Sequence, residues 1–332
     1  MKRKVICAVL SATMASSLLF AGGTTALADE DKTEITVWSW DATVEAAIPA
    51  FEEANPDITV KFENVGSASE QYRAIDNALQ AGTGFPDVAQ FEYFAVPYFA
   101  VAQKLADLSE LGAGDYAADY VEAAWNDVHF NDTLYALPLD YGPVVMFYNQ
   151  DTLEKAGVTE APKTWDEYYE AAKKVRALGD DYYISNASGD IFLILSMIWQ
   201  AGGTPFSADG ANVKIDFSDE NTQNVLAFWQ KMIDEDLITN DIPNWSDDWN
   251  RALNDGTLAT QVIGGWMTAN LPPRAPDAAG NFRVAAMPQW NEGENYSAEN
   301  GGSTLAILEA SEKKEAAFKF VEYITHGDGV QP

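Results

Sequence analysis

The sequence predicts an α/β protein in which a mainly parallel β-sheet is covered by helices. Strand-like and helix-like segments alternate along the chain, and this rhythm is typical of parallel strands joined by helical crossovers. The chain has 332 residues, 47% of them hydrophobic, which is enough for two ordinary domains with sizeable cores. No internal repeat or flexible linker interrupts the sequence, so two domains would be joined by short chain crossings.

The first predicted elements form a β-α-β-α-β unit. Ile35 and Val37 alternate on one face, as in a strand, and Asp41 or Thr43 can cap the helix that follows. The remaining elements of this unit are a strand over residues 58–62, a helix that stops at Gly82 and a short strand after Pro86.

The middle and end of the chain continue the alternation. An apolar, β-branched run over residues 144–148 suits a buried strand. Thr164 and Glu167 form a capping box, in which each side chain satisfies a backbone donor at the start of a helix. Apolar residues recur at helical spacing after Ser218 and over residues 317–324, which predicts two further helices. Further strands are predicted over residues 259–263, 283–287 and 303–308.

The N-terminus has the pattern of a secretory signal peptide over residues 1–28. A basic start at Lys2–Lys4 precedes an uncharged apolar stretch and the small residues Ala26–Ala28. A membrane anchor is the weaker interpretation, because the stretch is short and diluted by Ser, Thr and Ala. We therefore expect an exported protein, at the cell surface or in a periplasm.

Charge, cysteine and histidine content exclude several classes of function. Removal of the signal takes the net charge from −31 to −34, which disfavours nucleic acids and anionic membranes as partners. The only cysteine, Cys7, lies within the signal, so the mature chain has no disulfide, no thiol nucleophile and no lipid-anchoring cysteine. His129 and His326 have no metal-ligand spacing, and no nucleophile elbow or phosphate-binding loop occurs. We expect no catalytic residue, metal or cofactor.

Aromatic and acidic side chains lie where predicted strands end, which is where open α/β sheets bind ligands. Aromatic rings stack on the C–H face of a pyranose, while carboxylates and tyrosines bond to its hydroxyl rim. These segments therefore predict a carbohydrate site. The candidates are Trp40, Asp41, Glu92, Tyr93, Asp140, Tyr141, Trp245 and Trp266. Asp41 is equally explained as a helix cap, and Asp140 as a brace for a chain crossing.

A series of short segments occurs in an order that is more specific than any one of them. They are Ile35–Trp40, Phe51–Pro56, Ala81–Val88, Leu134–Pro138 with Phe147–Asn149, Pro162–Glu167, Gly256–Ala259 before Gly265–Trp266, Gly301–Ser303 before Leu305–Ile307, and Ala316–Phe320. Taken together, they resemble the family 1 extracellular solute-binding proteins of ATP-driven sugar importers, the group that contains maltodextrin-binding protein. The resemblance covers almost all of residues 33–326.

This resemblance implies a two-lobed, venus-flytrap fold of the type II periplasmic-binding-protein class, each lobe a mainly parallel sheet flanked by helices. The first lobe would comprise residues 29–140 and a returning segment at 300–332, and the second lobe residues 141–299. Gly302 and Ser303 would lie near the hinge and the ligand. Family members usually continue further, so the chain resembles a C-terminally truncated member.

The implied function is that of a monomeric, non-catalytic component of an ABC transporter. It would capture a carbohydrate, most simply an oligosaccharide, between its lobes and deliver it to the transmembrane permease subunits, with Trp266 as the stacking platform. Two alternatives remain open. A polyamine or other cation would fit between rings and carboxylates, which the net charge favours and the family segments disfavour. A secreted glycosidase would need two carboxylates at catalytic separation.

Overall fold

The computed structural model describes residues 32–130, 132–209 and 212–330, so the predicted signal peptide, residues 1–28, lies outside the described residues. The strands are β1 (Thr33–Trp38), β2 (Ile58–Glu63), β3 (Val88–Glu92), β4 (His129–Phe130), β5 (Thr133–Leu134), β6 (Leu137–Asn149), β7 (Ser185–Ser188), β8 (Phe206–Asp209), β9 (Asn212–Ile215), β10 (Ile238–Pro243), β11 (Thr260–Gly264), β12 (Phe282–Ala286) and β13 (Glu299–Ile307). The helices are α1 (Ala42–Ala54), α2 (Ala68–Ala81), α3 (Val96–Val101), α4 (Glu122–Asp127), α5 (Gln150–Lys155), α6 (Trp165–Arg176), α7 (Phe192–Gln200), α8 (Glu220–Asp234), α9 (Asp247–Asp255), α10 (Met267–Arg274) and α11 (Lys314–Thr325).

Local sequence signals determine several helix starts. Asp41 caps α1 by accepting a hydrogen bond from the backbone N–H of Thr43 at 2.8 Å, and Thr164 caps α6 in the same way. The helix predicted from Ser218 begins later, because the side chain of Asp219 is the cap of α8. The negative charge of this carboxylate also interacts favourably with the partial positive charge at the helix N-terminus.

The main sheet is mixed, with the strand order β11-β6-β13-β3-β1-β2 and with β12 paired to β6. The predicted parallel pairing is confirmed for β1 with β2 and β3, and β7 and β10 are also parallel. The prediction of mainly parallel sheets is wrong for the rest, since β13 runs antiparallel to β3 and β6, and β11 and β12 run antiparallel to β6. The reason is topological, because β6 leaves one half of the molecule and β13 returns beside it.

Buried apolar side chains form clusters on either side of these crossing strands. One cluster packs α1 and α11 against β1 and β3, and its Phe51 and Phe320 rings meet edge to face at 5.0 Å. The other side contains a cluster around Trp165 and Tyr168 and a smaller one around Trp249. We call the two sides the first and the second lobe, and the two-lobed α/β architecture agrees with the sequence prediction.

The strands β6 and β13 cross between the lobes side by side. The first half of β6, to Pro143, pairs with β13, whereas residues Val144–Asn149 pair with β11 and β12 of the second lobe. The pairing of β6 with β13 shifts register between Glu299 and Gly302. We call residues 141–143 and 299–302 the hinge.

The two strands approach each other closely at the hinge. A Cβ atom on Gly142 would collide with the carbonyl oxygen of Asn300 and lie 3.0 Å from the carbonyl carbon of Gly301. Gly302 has a φ of +104°, and a Cβ atom there would lie 2.9 Å from the backbone oxygen of Asp140. Only glycine fits these positions without displacing the partner strand. We propose lobe boundaries at this crossing, as predicted, with residues 29–140 and 300–332 in the first lobe and 141–299 in the second.

Candidate ligand-binding cleft

The carboxyl ends of several strands deliver the predicted site residues to one edge of each lobe. In the first lobe, Trp40 and Asp41 follow β1, and Tyr93 follows β3 beside it. In the second lobe, Trp245 follows β10 and Trp266 follows β11. The indole of Trp266 bonds to the hinge at Asn300, and the hydroxyl of Tyr93 bonds to Asp140 beside the hinge, so residues of both sets adjoin it. We call the space between the two edges the cleft.

Hydrogen bonds connect the side chains on the first-lobe side of the cleft. The backbone N–H of Asp41 donates to Ser39 Oγ at 3.0 Å, and Ser39 Oγ donates to Gln90 Oε1 at 2.6 Å. Gln90 Nε2 donates to Ser303 Oγ at 2.7 Å, and Ser303 Oγ donates to Asp140 Oδ1. This chain of bonds runs from β1 across β3 and β13 to β6, and it fixes the carboxylate of Asp140.

Asp140 is exposed to solvent and is nevertheless partly desolvated by neighbouring protein. This desolvation raises the pKa of Asp140 and the charge of Asp41 raises it further, while the hydrogen bond from Ser303 acts in the opposite direction. Ser303 is only 4% exposed, so it positions Asp140 and does not itself face the cleft. Gly302, next to it, provides the room for this close packing.

Two tyrosines lie beside Asp140. The hydroxyl of Tyr93 donates to the backbone oxygen of Asp140 at 3.0 Å, and the rings of Tyr93 and Tyr141 meet edge to face at 5.7 Å. Tyr93 is buried, whereas Tyr141 is half-buried. Burial raises the pKa of both hydroxyls, so both stay neutral at physiological pH. Tyr141 therefore presents a neutral phenol to the cleft.

Trp40 and Glu92 share a contact with Tyr72, which sequence reasoning placed only in a helix. The half-buried ring of Trp40 meets the Tyr72 ring edge-on at 6.4 Å. The Tyr72 hydroxyl donates to Glu92 Oε2 at 3.1 Å and accepts from the backbone N–H of Glu92 at 2.9 Å. Burial raises the pKa of Glu92, and the charge of Asp190 in the second lobe raises it further.

Trp266 and Trp245 form a stacked pair on the second-lobe side. Their ring centroids are 5.8 Å apart at an interplanar angle of 25°. Trp266 is half-buried, and its indole Nε1–H donates to the backbone oxygen of Asn300 in the hinge at 2.6 Å. Trp245 is 39% exposed and rests on the fully buried Trp249, while the guanidinium of Arg274 lies 4.9 Å from its ring centroid. The pair is a rigid aromatic surface attached to the hinge.

The two sets of predicted residues meet at the hinge. Trp266 is bonded to Asn300, and two positions further along β13 Gly302 packs against Tyr93 and Asp140. Trp40 lies on the far side of this arrangement, and no ring contact among the described residues joins it directly to Trp266.

Sequence reasoning missed a set of polar side chains where the second lobe meets the hinge. They line a small cavity next to the hinge and are Asn186, Ser188, Asp190, Asn244, Gln261 and Asn300. Gln261 Nε2 donates to Asn186 Oδ1 at 3.0 Å, and Ser188 Oγ is buried without a hydrogen-bond partner in the described part of the chain. The short strand β7 has too few apolar residues to be recognised, although Gly189 followed by Asp190 is a turn signal of the kind that located the other candidates.

Two carboxylates at the side of the hinge were also missed. Burial raises the pKa of Glu299 to about 7, and the charge of Asp127 adds to this effect. Burial also raises the pKa of Asp127 itself. Both lie close enough to Tyr93 and Tyr141 for their charges to raise the pKa of those hydroxyls. The hinge therefore contains a carboxyl group that titrates near neutral pH.

We expect Glu299 to make the stability of the protein fall as the pH rises. The folded protein holds the Glu299 proton up to about pH 7, whereas the unfolded chain releases it near pH 4.5, so unfolding becomes more favourable between these values. Thermal unfolding measured across this range should show a smaller decline for Glu299→Gln, which is neutral at every pH. The exposed Glu312→Gln is the control, and equal slopes in all three proteins would show that Glu299 does not titrate in this range.

Metal sites and membrane-spanning helices were also considered among the described residues. Among residues 32–130, 132–209 and 212–330, no cluster of three or more His, Cys, Asp or Glu side chains is arranged to hold a metal ion. In the same ranges, no helix has both the length and the apolar character needed to cross a membrane.

Comparison with solved structures shows the fold. The chain is 45% identical to the ABC transporter associated binding protein from B. animalis subsp. lactis Bl-04, which was solved in complex with β-1,6-galactobiose. The two structures superpose with a TM-score of 0.79 over 90% of this chain and 73% of the other. The galacto-N-biose-/lacto-N-biose I-binding protein from Bifidobacterium longum is 26% identical, with a TM-score of 0.78 over 89% of this chain and 75% of the other.

Comparison of sequences gives the family. The arabinooligosaccharide-binding protein of Bacillus subtilis is 28% identical over 338 aligned positions, which cover 97% of this chain and 76% of that protein. A family model described as bacterial extracellular solute-binding protein matches residues 38–327. The resemblance inferred from the sequence segments is therefore confirmed. The chain belongs to the family of bacterial extracellular solute-binding proteins.

Proposed function

We propose that this protein captures a short oligosaccharide in the cleft between its lobes, as the exported binding component of an ABC transporter. The observation that carries the proposal is that an aromatic surface, Trp266 with Trp245, and a carboxylate fixed by hydrogen bonds, Asp140, adjoin one hinge. A pyranose has an apolar face and a hydroxyl rim, and this pairing matches both. The 45% identical relative solved with β-1,6-galactobiose supports the same ligand class.

Each side chain has a chemical role in this proposal. Trp266 is the stacking platform, and Trp245 extends it towards solvent. Asp140 and Glu92 accept hydrogen bonds from sugar hydroxyls, while Tyr141 donates and accepts through its phenol. The other predicted residues hold this arrangement in place, and they are Asp41 as helix cap, Tyr93 as support for Asp140, Gly302 and Ser303 at β13, and Trp40 at the edge of the cleft.

Ligand binding would favour the closed arrangement of the lobes. A sugar that contacts Asp140 on one side and Trp266 on the other gains contacts only when the lobes approach, so it shifts the equilibrium towards closure. The closed monomer would then dock on the transmembrane permease subunits. Residues 1–28 would direct export to the cell surface or periplasm, and the net charge of −31 disfavours nucleic acid as a partner.

Catalysis is not part of the proposed function. Family members are solute-binding proteins, and the cleft carboxylates are explained as acceptors for hydroxyl groups. A cationic ligand is the second candidate. Burial raises the pKa values of Glu92, Asp140 and Glu299, and a bound cation would stabilise their charged forms.

A thermal-shift panel tests the proposal. The probes are β-1,6-galactobiose, lacto-N-biose, lactose, arabino-oligosaccharides and spermidine. We expect at least one sugar to raise the melting temperature, because a ligand that binds only the folded state stabilises it. If spermidine raised the melting temperature and no sugar did, the ligand would be a cation and not a sugar. Chromatography of the active sugar after long incubation should recover it unchanged, and shorter products would indicate a glycosidase.

A further inference from the structure

A pair of phenylalanines makes contact across the cleft. Phe94 lies in the 3₁₀ turn Tyr93–Ala95 that follows β3 in the first lobe, and Phe192 is the first residue of α7 in the second lobe. Their ring centroids are 5.9 Å apart at an interplanar angle of 34°. Phe94 is 60% exposed, so it is not part of the first-lobe core. The pair therefore joins a residue that follows β3 in the first lobe to the start of α7 in the second lobe.

Neither ring is carried by a free loop. Phe94 follows Tyr93, whose hydroxyl is bonded to the backbone of Asp140. The backbone N–H of Phe192 donates to Asp190 Oδ1 at 2.8 Å, which fixes the start of α7. Further along α7, the hydroxyl of Ser196 donates to the hinge at the backbone oxygen of Glu299 at 2.9 Å. Phe94 is therefore positioned through its neighbour Tyr93, which is bonded to Asp140, and Phe192 through α7, which is bonded to the hinge.

The carboxylates near these rings lie close enough to interact electrostatically. Glu92 precedes Phe94 by two residues, and Asp190 precedes Phe192 by two residues. Burial raises the pKa of Glu92 and the charge of Asp190 adds to it, which agrees with two acidic groups near each other across the cleft. Two acids repel when both are charged, so the apolar ring contact opposes this repulsion.

We propose that Phe94 and Phe192 form a stop at one end of the cleft that limits the length of the bound oligosaccharide. This inference rests on the proposed function. Sugar units cannot pass between rings that are in contact, and lobe closure presses these rings together. The ring–ring contacts of Trp245 and Trp266 in the described residues stay within the second lobe, and the indole of Trp266 bonds to β13 at Asn300 in the hinge. In this proposal the cleft beside the tryptophan pair is open at its end. A ligand can therefore extend past the tryptophans but not past the phenylalanines.

The test is calorimetric titration with two ladders of sugars, β-1,6-linked galacto-oligosaccharides and arabino-oligosaccharides, each of two to six units. The proteins are the wild type, Phe94→Ala, Phe192→Ala and the double variant. We expect wild-type affinity to fall at least tenfold from the best-bound length to the longest, and each variant to recover about tenfold for the long members only. Phe94→Leu, which keeps an apolar side chain, should retain the length limit in part.

The control is Phe206→Ala. Phe206 is 45% exposed and meets Phe217 at 5.6 Å within the second lobe, so its removal deletes a similar ring pair that does not cross the cleft. The dependence of its affinity on the number of sugar units should match that of the wild type. Equal affinity of the wild type for all lengths, or variants with an unchanged profile, would overturn the length limit alone. A wild type that binds no sugar of either ladder or of the thermal-shift panel would overturn the proposed function as well.

Discussion

Replacement of Trp266 by alanine is expected to lower sugar affinity about 100-fold, which corresponds to about 3 kcal/mol of binding free energy. The substitution removes the half-buried ring that is stacked on Trp245 and bonded to the hinge at Asn300. The sugar loses its apolar surface, and Trp245 loses the neighbour that holds it in place. Calorimetric titration with the best sugar from the thermal-shift panel measures the loss.

The melting temperature without ligand distinguishes a binding role from a structural one. We expect Trp266→Ala to lower it by only a few degrees, because the ring packs at the edge of its cluster and not in its centre. Trp199→Ala is the matched control, since Trp199 is a 38% exposed tryptophan of the same lobe, and its affinity should equal that of the wild type. A large loss of stability with little loss of affinity in Trp266→Ala would show that Trp266 is a core residue.

Gly142→Ala is expected to damage both stability and binding. Its Cβ atom would collide with the backbone of Asn300 and Gly301, and neither strand can move alone because β6 and β13 are paired through the hinge. Overpacking of this kind costs about 1–3 kcal/mol, which lowers the melting temperature by roughly 2–5 °C in a chain of this size. Affinity should fall as well, since Asp140 and Asn300 are displaced together.

The control for this substitution is Gly114→Ala. A Cβ atom on Gly114 meets no other atom within 4 Å, and its backbone conformation is open to any residue. We expect an unchanged or slightly raised melting temperature there, because alanine restricts the unfolded chain. If Gly142→Ala melts and binds like the wild type, the hinge strands have room to separate, and the close approach described above does not constrain them.

Short-range patterns were enough to predict much of the fold. The alternation of Ile35 and Val37 marks β1, and the cap at Asp41 fixes the start of α1. Trp266 was predicted as a site residue because it follows a strand and two glycines, and such positions adjoin ligand sites in α/β sheets. The structure shows that it adjoins the hinge, and its contact with ligand stays a prediction. These inferences depend on a few neighbouring residues and on no long-range contact.

Other features were not predictable because they depend on pairing between distant segments. The apolar period of a strand does not give its direction, so the antiparallel placement of β6 and β13 was missed. Asp190 and Glu299 lie beside the hinge only because β7 ends and β13 begins there. Ser303 was predicted near the ligand, but its hydroxyl is used to bond Asp140, which no local pattern reveals.

Because β6 leaves the first lobe and β13 returns to it, the order in which the two lobes can fold is also determined. The first-lobe core joins Phe51 to Phe320 across about 270 residues, whereas the clusters of the second lobe come from one uninterrupted stretch. A growing chain can therefore complete the second lobe while the first still lacks α11. Contacts of such long sequence separation form slowly, because a large loop has to close before they are made. We expect newly synthesised protein to remain incompletely folded until α11 is available.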